Sequence, residues 1–177
     1  MKNIILYCRA GFEKECAAEI TEKALALEIY GFARVIENSA FVIFECYESA
    51  DAARLIFEIS VKDLIFARQC FHGSVVINDL PTDDRVTPIV GMFTGMVERA
   101  GDLRVEVPDT NAGKNLSPFC KKLTVPLRNA LRQNRLLTKM PTTVLPVLHV
   151  LFLTSNCCYV GYSYPTLNSG GDQTLTN

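Results

Sequence analysis

The sequence predicts an α+β protein made of two consecutive units and a short tail. The hydrophobic pattern of residues 1–73 has the order β-α-β-β-α-β, whereas residues 74–164 alternate helices and strands in a different order. The first order is that of the ferredoxin-like fold, in which two helices cover one face of a four-stranded antiparallel sheet. Periodicity ends at Pro165, and the polar residues 165–177 are expected to form a disordered tail.

Six elements are predicted in the first unit. A helix is predicted where Phe12, Cys16 and Ile20 recur every four residues with acidic side chains between them. Asn38-Ser39-Ala40 separates two apolar runs and indicates a hairpin. In chain order the predicted bounds are 4–8 (strand), 12–27 (helix), 32–37 and 41–46 (strands), a helix from residue 49, and 64–71 (strand).

The second unit is predicted from two helix-start signals and three apolar runs. Thr87-Pro88 and Ser117-Pro118 each place a proline in a first helical turn, where its missing N–H is harmless. The first of these helices is expected to end by Gly101, and a separate helix is expected over 124–136 with Pro126 in its first turn. Strands are predicted at 103–107, 147–153 and 158–164.

The charge distribution is strongly asymmetric along the chain. Residues 1–109 carry 18 acidic and 11 basic side chains, whereas residues 110–177 carry 7 basic side chains and a single acid, Asp172. A one-sign segment within a protein of net charge −1 favours a polyanionic partner, because neighbouring carboxylates would cancel the attraction to phosphate. The alternative is a solvated helix face whose acidic neighbours come from elsewhere in the fold.

Eight cations are the candidate phosphate-binding residues. Three of them, Arg128, Arg132 and Arg135, have the spacing of one helical stripe, with no carboxylate one turn away to stabilise the helix. Guanidinium groups in that arrangement suit phosphate contacts. The full set is Arg104, Lys114, Lys121, Lys122, Arg128, Arg132, Arg135 and Lys139.

Composition excludes several other classes of protein. The longest apolar run, 144–153, is far shorter than the ~20 residues of a membrane span, and the N-terminus does not resemble a signal peptide. The seven cysteines are scattered without C-x-x-C spacing, which predicts buried thiols in a reducing cytoplasm and no metal site. We therefore expect a cytoplasmic protein, most simply a monomer.

No catalytic constellation is evident. The glycine-rich nucleotide loop, the G-x-S-x-G elbow and the H-E-x-x-H zinc motif are all missing. His149 is expected to be a hydrogen-bonded core residue. Tyr159, Tyr162 and Tyr164 are expected to be strand aromatics, with base stacking as the alternative. The residues alone predict a binding module, either for RNA or, as an alternative, an ACT-like regulatory module that binds a small molecule.

Eight segments resemble the bacterial 23S rRNA cytidine 2′-O-ribose methyltransferase family RlmM. The opening CRAGFEKECAAEI at 8–20 is the longest of them. The others, in the same order as in the family, lie at 31–35, 64–69, 87–92, 103–107, 119–120, 124–128 and 157–164. The resemblance covers about residues 1–164.

The resemblance implies a ferredoxin-like domain at 1–73 and a THUMP RNA-binding domain at 74–164. It implies that 23S ribosomal RNA is the partner and that S-adenosylmethionine is the methyl donor of the full-length enzyme. The Rossmann-like catalytic domain is expected to be absent from this chain, so no catalytic, cofactor or metal residue is assigned, and the chain alone is expected to be inactive. Both a truncated or frameshifted fragment and a natural stand-alone product fit the ending.

Overall fold

The computed structural model describes residues 1–165, so the predicted tail lies outside the described residues from position 166 onward. The first half of the chain contains β1 (Asn3–Tyr7), α1 (Glu13–Ala26), β2 (Gly31–Val35), β3 (Phe41–Cys46), α2 (Ser49–Glu58), a 3₁₀ turn (Val61–Asp63) and β4 (Gln69–Gly73). The second half contains α3 (Val86–Thr94), β5 (Asp102–Glu106), α4 (Asn111–Asn115), α5 (Ser117–Gln133), β6 (Val147–Thr154) and β7 (Cys157–Ser163).

The first six regular elements form the predicted β-α-β-β-α-β arrangement. β1 lies between β3 and β4, and β2 lies outside β3, with every pairing antiparallel. Helices α1 and α2 pack on one face of these strands, where Ile4, Leu6 and Phe44 meet Ile20 and Leu55 in a buried core. Right-handed crossovers place both helices on the same side, so the ferredoxin-like prediction is confirmed.

One sheet runs through both halves of the chain, in the strand order β2-β3-β1-β4-β7-β6-β5. The two halves are joined at β4 and β7 by only two residue pairs, His72 with Tyr162 and Gly73 with Gly161. The strands approach closely there, since a Cβ on Gly161 would lie 2.0 Å from the His72 carbonyl oxygen. Glycine at this position is therefore required for the two strands to pair.

The second half packs its helices on one face of β5, β6 and β7. β6 is antiparallel to β7 and parallel to β5. Helices α3 and α5 cover these strands through a core that includes Phe93, Leu127, Leu131, Leu148 and Phe152. These contacts bury one side of α5 and leave its other side to solvent, which positions the candidate site.

The strands of the first half of the chain and those of the second form two half-sheets. The faces of the two half-sheets that the helices leave uncovered pack against each other. Phe41 of β3 and Tyr159 of β7 are separated by two strands, a path of about 14 Å along a flat sheet. Their ring centroids are nevertheless 6.1 Å apart, and the ring of Phe71 stacks on that of His149 at 4.9 Å. The sheet is therefore strongly curled, which explains why β6 is apolar on both faces.

Several predicted boundaries are wrong, among them the end of α5, which lies at Gln133 instead of residue 136. α5 is one helix that continues through Pro126, where two helices were predicted. Buried side chains on both sides of the proline, Cys120 before it and Leu127 after it, pack into the same core. Their packing outweighs the ~3 kcal/mol penalty of an internal proline.

Two further differences concern α3 and β4. α3 ends at Thr94, followed by Gly95, where Gly101 was expected to end it. The last strand of the first half begins at Gln69, because the preceding residues form a 3₁₀ turn and a loop.

A buried carboxylate fixes the start of α1 against the β2–β3 hairpin. Glu13 is only 2% exposed. Its Oε2 accepts the N–H of Ala40 at 2.8 Å, and its Oε1 accepts the N–H of Asn38 at 3.1 Å. The N–H of Gly11 lies 3.1 Å from both oxygens. Burial raises the pKa of Glu13, but these backbone donors outweigh it, so the pKa lies below its usual value.

All seven cysteines are free thiols, six of them buried and Cys157 half-buried. Burial raises the pKa of Cys70 and of Cys158 to about 12. The prediction of buried structural thiols is confirmed for these six. None of the helices in residues 1–165 combines the length and apolar character that a membrane crossing needs.

Candidate nucleic-acid interface

One flank of α5, beside its buried face, carries a stripe of three cations, of which Lys121 is exposed and Arg128 and Arg132 are half-buried. Lys121, Arg128 and Arg132 lie at i, i+7 and i+11, which are about two and three helical turns apart. The three side chains therefore share one side of the helix and span about 16 Å along its axis. We call Lys121, Arg128 and Arg132 the α5 stripe. Lys121 joins the stripe only because α5 is continuous through Pro126.

Arg135 does not belong to this stripe, which corrects the prediction. α5 ends at Gln133, and Arg135 adopts the left-handed conformation with φ of 60°. Its N–H donates to the Arg132 carbonyl at 3.0 Å in the tight turn that closes the helix. The side chain of Arg135 is exposed, but the turn removes it from the helical spacing on which the prediction rested.

Arg132 also holds the loop that follows the helix. Its Nε donates to the Thr138 carbonyl at 3.2 Å, and its Nη2 donates to the Lys139 carbonyl at 3.1 Å. These bonds draw residue Lys139 to the end of the α5 stripe, while its own side chain stays exposed. A guanidinium has five N–H donors, so Arg132 keeps donors for a phosphate.

Carboxylates are scarce around the candidate cations. In the part of the chain that the structure describes, Lys114 alone among the eight has a carboxylate within 4.0 Å, with its Nζ 3.9 Å from Asp109 Oδ1. Asp102 lines a cavity of about 260 Å³ together with Arg128 and Arg132, but it forms an ion pair with neither. Glu106 lines another cavity with Lys121. Among the described residues, no member of the α5 stripe forms an ion pair, although these two carboxylates share cavities with it.

The remaining candidates lie apart from the stripe. Arg104 on β5 is in register with His149 on β6. It lies on the sheet face opposite the one that α5 covers. Lys122 is exposed one position further around α5, and Lys114 is exposed on α4. The structure brings Lys121, Arg128, Arg132 and Lys139 onto one side and leaves Arg104, Lys114 and Lys122 around it.

A cavity lies beside Lys121, at the end of β5. It has a volume of about 290 Å³ and is lined by Tyr7, Glu106 and the first turns of α5. Within residues 1–165 the buried Tyr7 Oη and Glu106 Oε1 have no hydrogen-bond partner. Burial, followed by the nearby Glu106 carboxylate, raises the pKa of the Tyr7 hydroxyl well above its usual value.

The histidines and tyrosines are part of the packing. His149 is fully buried, its Nε2 lies 2.7 Å from Ser163 Oγ, and burial lowers its pKa to about 3. His72 Nδ1 lies 3.0 Å from the Tyr162 hydroxyl. Tyr159 is buried, and Tyr164 packs edge-on against Phe57. No three His, Cys, Asp or Glu residues in the described chain are grouped to hold a metal ion.

Two cations of the acidic half, Arg9 and Arg68, lie outside the acid-free segment that supplied most of the candidates. Arg68 Nη1 lies 3.0 Å from Asp109 Oδ2, the carboxylate that also approaches Lys114. Both arginines flank aromatic residues in sequence, Arg9 before Phe12 and Arg68 after Phe66. This alternation of arginines with aromatic residues in the sequence pointed to the two cations, although the net negative charge of residues 1–109 hid it.

Comparison with known proteins gives a consistent family. The model of the RlmM ferredoxin-like domain matches residues 1–71, and the model "Ribosomal RNA large subunit methyltransferase M, N-terminal" matches residues 84–164. A curated protein of that name from Photorhabdus asymbiotica is 62% identical over 169 residues, covering 96% of this chain and 46% of the relative. Its counterpart from Dickeya chrysanthemi is 59% identical with the same coverage.

Solved structures show the same fold at low sequence identity. PH1313 from Pyrococcus horikoshii aligns with a TM-score of 0.55 and 10% identity, over 92% of this chain and 54% of that one. The present chain spans about half the length of the curated relatives it matches. On the two family models and the identity of about 60% along nearly its whole length, the chain belongs to the ribosomal RNA large subunit methyltransferase M family.

Proposed function

We propose that this chain is the RNA-docking part of an S-adenosylmethionine-dependent methyltransferase that modifies a cytidine 2′-hydroxyl of 23S ribosomal RNA. Residues 1–73 form its ferredoxin-like domain, and residues 74–164 act as a THUMP domain that holds the RNA. The methyl donor and the catalytic groups belong to the other half of the relatives' length. The protein works in the cytoplasm, where ribosomal RNA is made.

The α5 stripe is the observation that carries this proposal. Lys121, Arg128 and Arg132 follow one flank of α5 for about 16 Å, exposed or half-buried, and none forms an ion pair with a carboxylate among the described residues. This arrangement costs helix stability and is useful when an anion neutralises it. Phosphate contacts position an RNA without reading its sequence, so the choice of one cytidine falls to RNA shape and to the catalytic half.

The ACT-like alternative is not favoured. A regulatory module of that kind would present the ferredoxin-like sheet to a ligand. Here Ile5, Ile43 and Phe71 on that face pack against Leu151 and Tyr159 from the second half of the chain. This part of the face therefore serves as an internal contact surface between the two half-sheets.

The test is the salt dependence of binding to transcribed 23S ribosomal RNA. The slope of log K against log salt is negative, and each lost phosphate contact reduces its magnitude by about 0.7 to 0.9. The double variant Lys121→Gln/Arg128→Gln should therefore reduce the magnitude of the slope by about 1.4 to 1.8 and weaken binding at low salt by about tenfold or more. Both side chains are on the surface of α5 and neither holds a loop, so the fold should persist.

Lys2→Gln/Lys14→Gln is the matched control, because both lysines are exposed and lie outside the stripe. It removes the same net charge and should leave the salt slope within error of the wild type. Equal slopes for the two double variants would refute the proposal. Incubation of this chain with ribosomal RNA and labelled S-adenosylmethionine should transfer no methyl group.

A further inference from the structure

Two aromatic rings, of the exposed Phe12 and the half-buried Phe66, form a stacked pair at the edge of the ferredoxin-like domain. The ring centroids of Phe12 and Phe66 are 6.0 Å apart, and the ring planes are inclined by 22°. Phe12 is 38% exposed, and the neighbouring Ile65 is 84% exposed. The pair lines a shallow cavity of about 370 Å³ whose other walls are Arg9, Ile65 and Arg68. We call Phe12, Phe66, Arg9 and Arg68 the aromatic platform.

Both rings are held in place by the same helix. Phe12 is the residue that directly precedes α1, and its N–H donates to the Arg9 carbonyl at 3.0 Å. Glu19 on α1 accepts the N–H of Phe66 at 2.9 Å and that of Ala67 at 3.3 Å, and it also accepts the N–H of Ile65. The loop that carries Phe66 is therefore clamped to the helix that carries Phe12. A preorganised surface of this kind lowers the entropic cost of binding.

Two arginines place guanidinium groups beside the rings and lead from the platform to the second half of the chain. Arg9 is exposed, and the Arg68 backbone N–H is fixed by a bond to the Tyr7 carbonyl at 2.8 Å. The ion pair between Arg68 and Asp109 uses part of one guanidinium, whose side chain remains 52% exposed. Arg68 and Lys114 both approach Asp109, so the platform adjoins the second half of the chain.

A second exposed aromatic pair in the molecule lacks these features. Phe32 and Tyr47, at the outer edge of the sheet, have centroids 6.1 Å apart but planes inclined by 41°. Phe32 is in register with Glu45, whose carboxylate is already paired with Arg34. That pair therefore provides a matched control of similar size and exposure without unpaired cations.

We propose that the aromatic platform is a second RNA contact, which stacks an unpaired base on Phe12 and Phe66 and holds the adjoining phosphates with Arg9 and Arg68. The inference rests on the proposed RNA-docking function and adds a site for single-stranded nucleotides in the ferredoxin-like domain. Aromatic faces can receive a base only when it is outside a duplex, whereas the α5 stripe can hold the phosphates of any RNA. The two surfaces would thus bind paired and unpaired parts of one RNA.

The experiment compares three labelled RNAs bound to the 177-residue chain at low salt. They are an oligoadenylate of about 12 nucleotides, the same sugar–phosphate chain without bases, and a duplex of equal length. A length of about 12 nucleotides lies within the roughly 4–16 nucleotides that a single-strand-binding OB fold covers. Phe12→Leu/Phe66→Leu preserves apolar bulk and removes the aromatic faces. Phe32→Leu/Tyr47→Leu is its control, and Arg9→Gln tests the charge.

Phe12→Leu/Phe66→Leu should weaken oligoadenylate binding about five- to tenfold. It should leave the base-free chain, the duplex and the salt slope unchanged. Arg9→Gln should weaken binding of the oligoadenylate and of the base-free chain. It should also reduce the magnitude of the slope of log K against log salt by about 0.7. The Phe32→Leu/Tyr47→Leu control should bind all three RNAs as the wild type does.

Wild-type affinity for oligoadenylate in a Phe12→Leu/Phe66→Leu protein that melts cooperatively would overturn the inference. So would an equal loss for the base-free chain, because charge or folding would then be responsible. If Lys121→Gln/Arg128→Gln still weakens duplex binding in that case, the platform alone is refuted. Failure of the wild type to bind any RNA would refute the docking function as well.

Discussion

Replacing Glu13 by glutamine is expected to destabilise the protein strongly while hardly changing its shape. The carboxylate is buried and receives backbone N–H groups from Gly11, Asn38 and Ala40. In glutamine one oxygen becomes an NH₂ group, which cannot accept. If that group faces Ala40, a donor that bonded at 2.8 Å is left buried without an acceptor.

The magnitude follows from that count of donors. A buried donor left unsatisfied costs about 1–3 kcal/mol, and the bonds that remain lose the assistance of the charge. Together these effects lower the free energy of unfolding by about 2–4 kcal/mol. For a protein of this size, that corresponds to a fall of about 4–16 °C in the melting temperature.

The loss should also depend on pH. Because the folded-state pKa of Glu13 lies below the unfolded value of about 4.3, the carboxylate contributes stability that is fully present above that pH. The contribution is lost as the pH falls through the folded-state pKa. The stability difference between the wild type and Glu13→Gln should therefore be constant near neutrality and shrink below about pH 4.

Denaturant unfolding at neutral and acidic pH measures both effects. Glu15→Gln is the matched control, since Glu15 lies in the same first turn of α1 but is exposed. It should cost only about 0.3–1 kcal/mol, through the helix dipole. If Glu13→Gln unfolds at the same denaturant concentration as Glu15→Gln, the assigned role of the buried carboxylate is wrong.

Two further predictions concern the junction of the two half-sheets. Gly161→Ala places a Cβ 2.0 Å from the His72 carbonyl oxygen, so it should separate β4 from β7. It should lower the melting temperature by about 4 °C or more, whereas Gly91→Ala, which meets nothing within 4 Å, should not lower it. His149 should remain neutral from pH 8 to 5 in NMR titration, because burial lowers its pKa to about 3. Its unfolded-state pKa is about 6.5, so stability should fall as the pH drops below that value, and a normal titration curve would contradict this burial.

Local sequence patterns determined much of this protein. The four-residue period from Phe12, the hairpin at Asn38 and the run of apolar residues in β6 each reflect contacts within an element or with its nearest neighbour, and these can be read along the chain. The charge asymmetry likewise predicts Lys121, Arg128 and Arg132 as candidate phosphate-binding residues, because cations without acids nearby in sequence are visible in the sequence itself. Those features depend on short-range chemistry.

Tertiary structure decided what depends on distant residues. α5 runs through Pro126 because core contacts on both sides of the proline outweigh a local penalty. Arg135 lies outside the α5 stripe because the helix ends two residues before it. Gly73 and Gly161 meet only when the sheet joins residues far apart in sequence, and the same curling buries His149. Glu13 and the aromatic platform also unite separate segments. Such contacts arise from packing among elements, a free energy that no local pattern of residues contains.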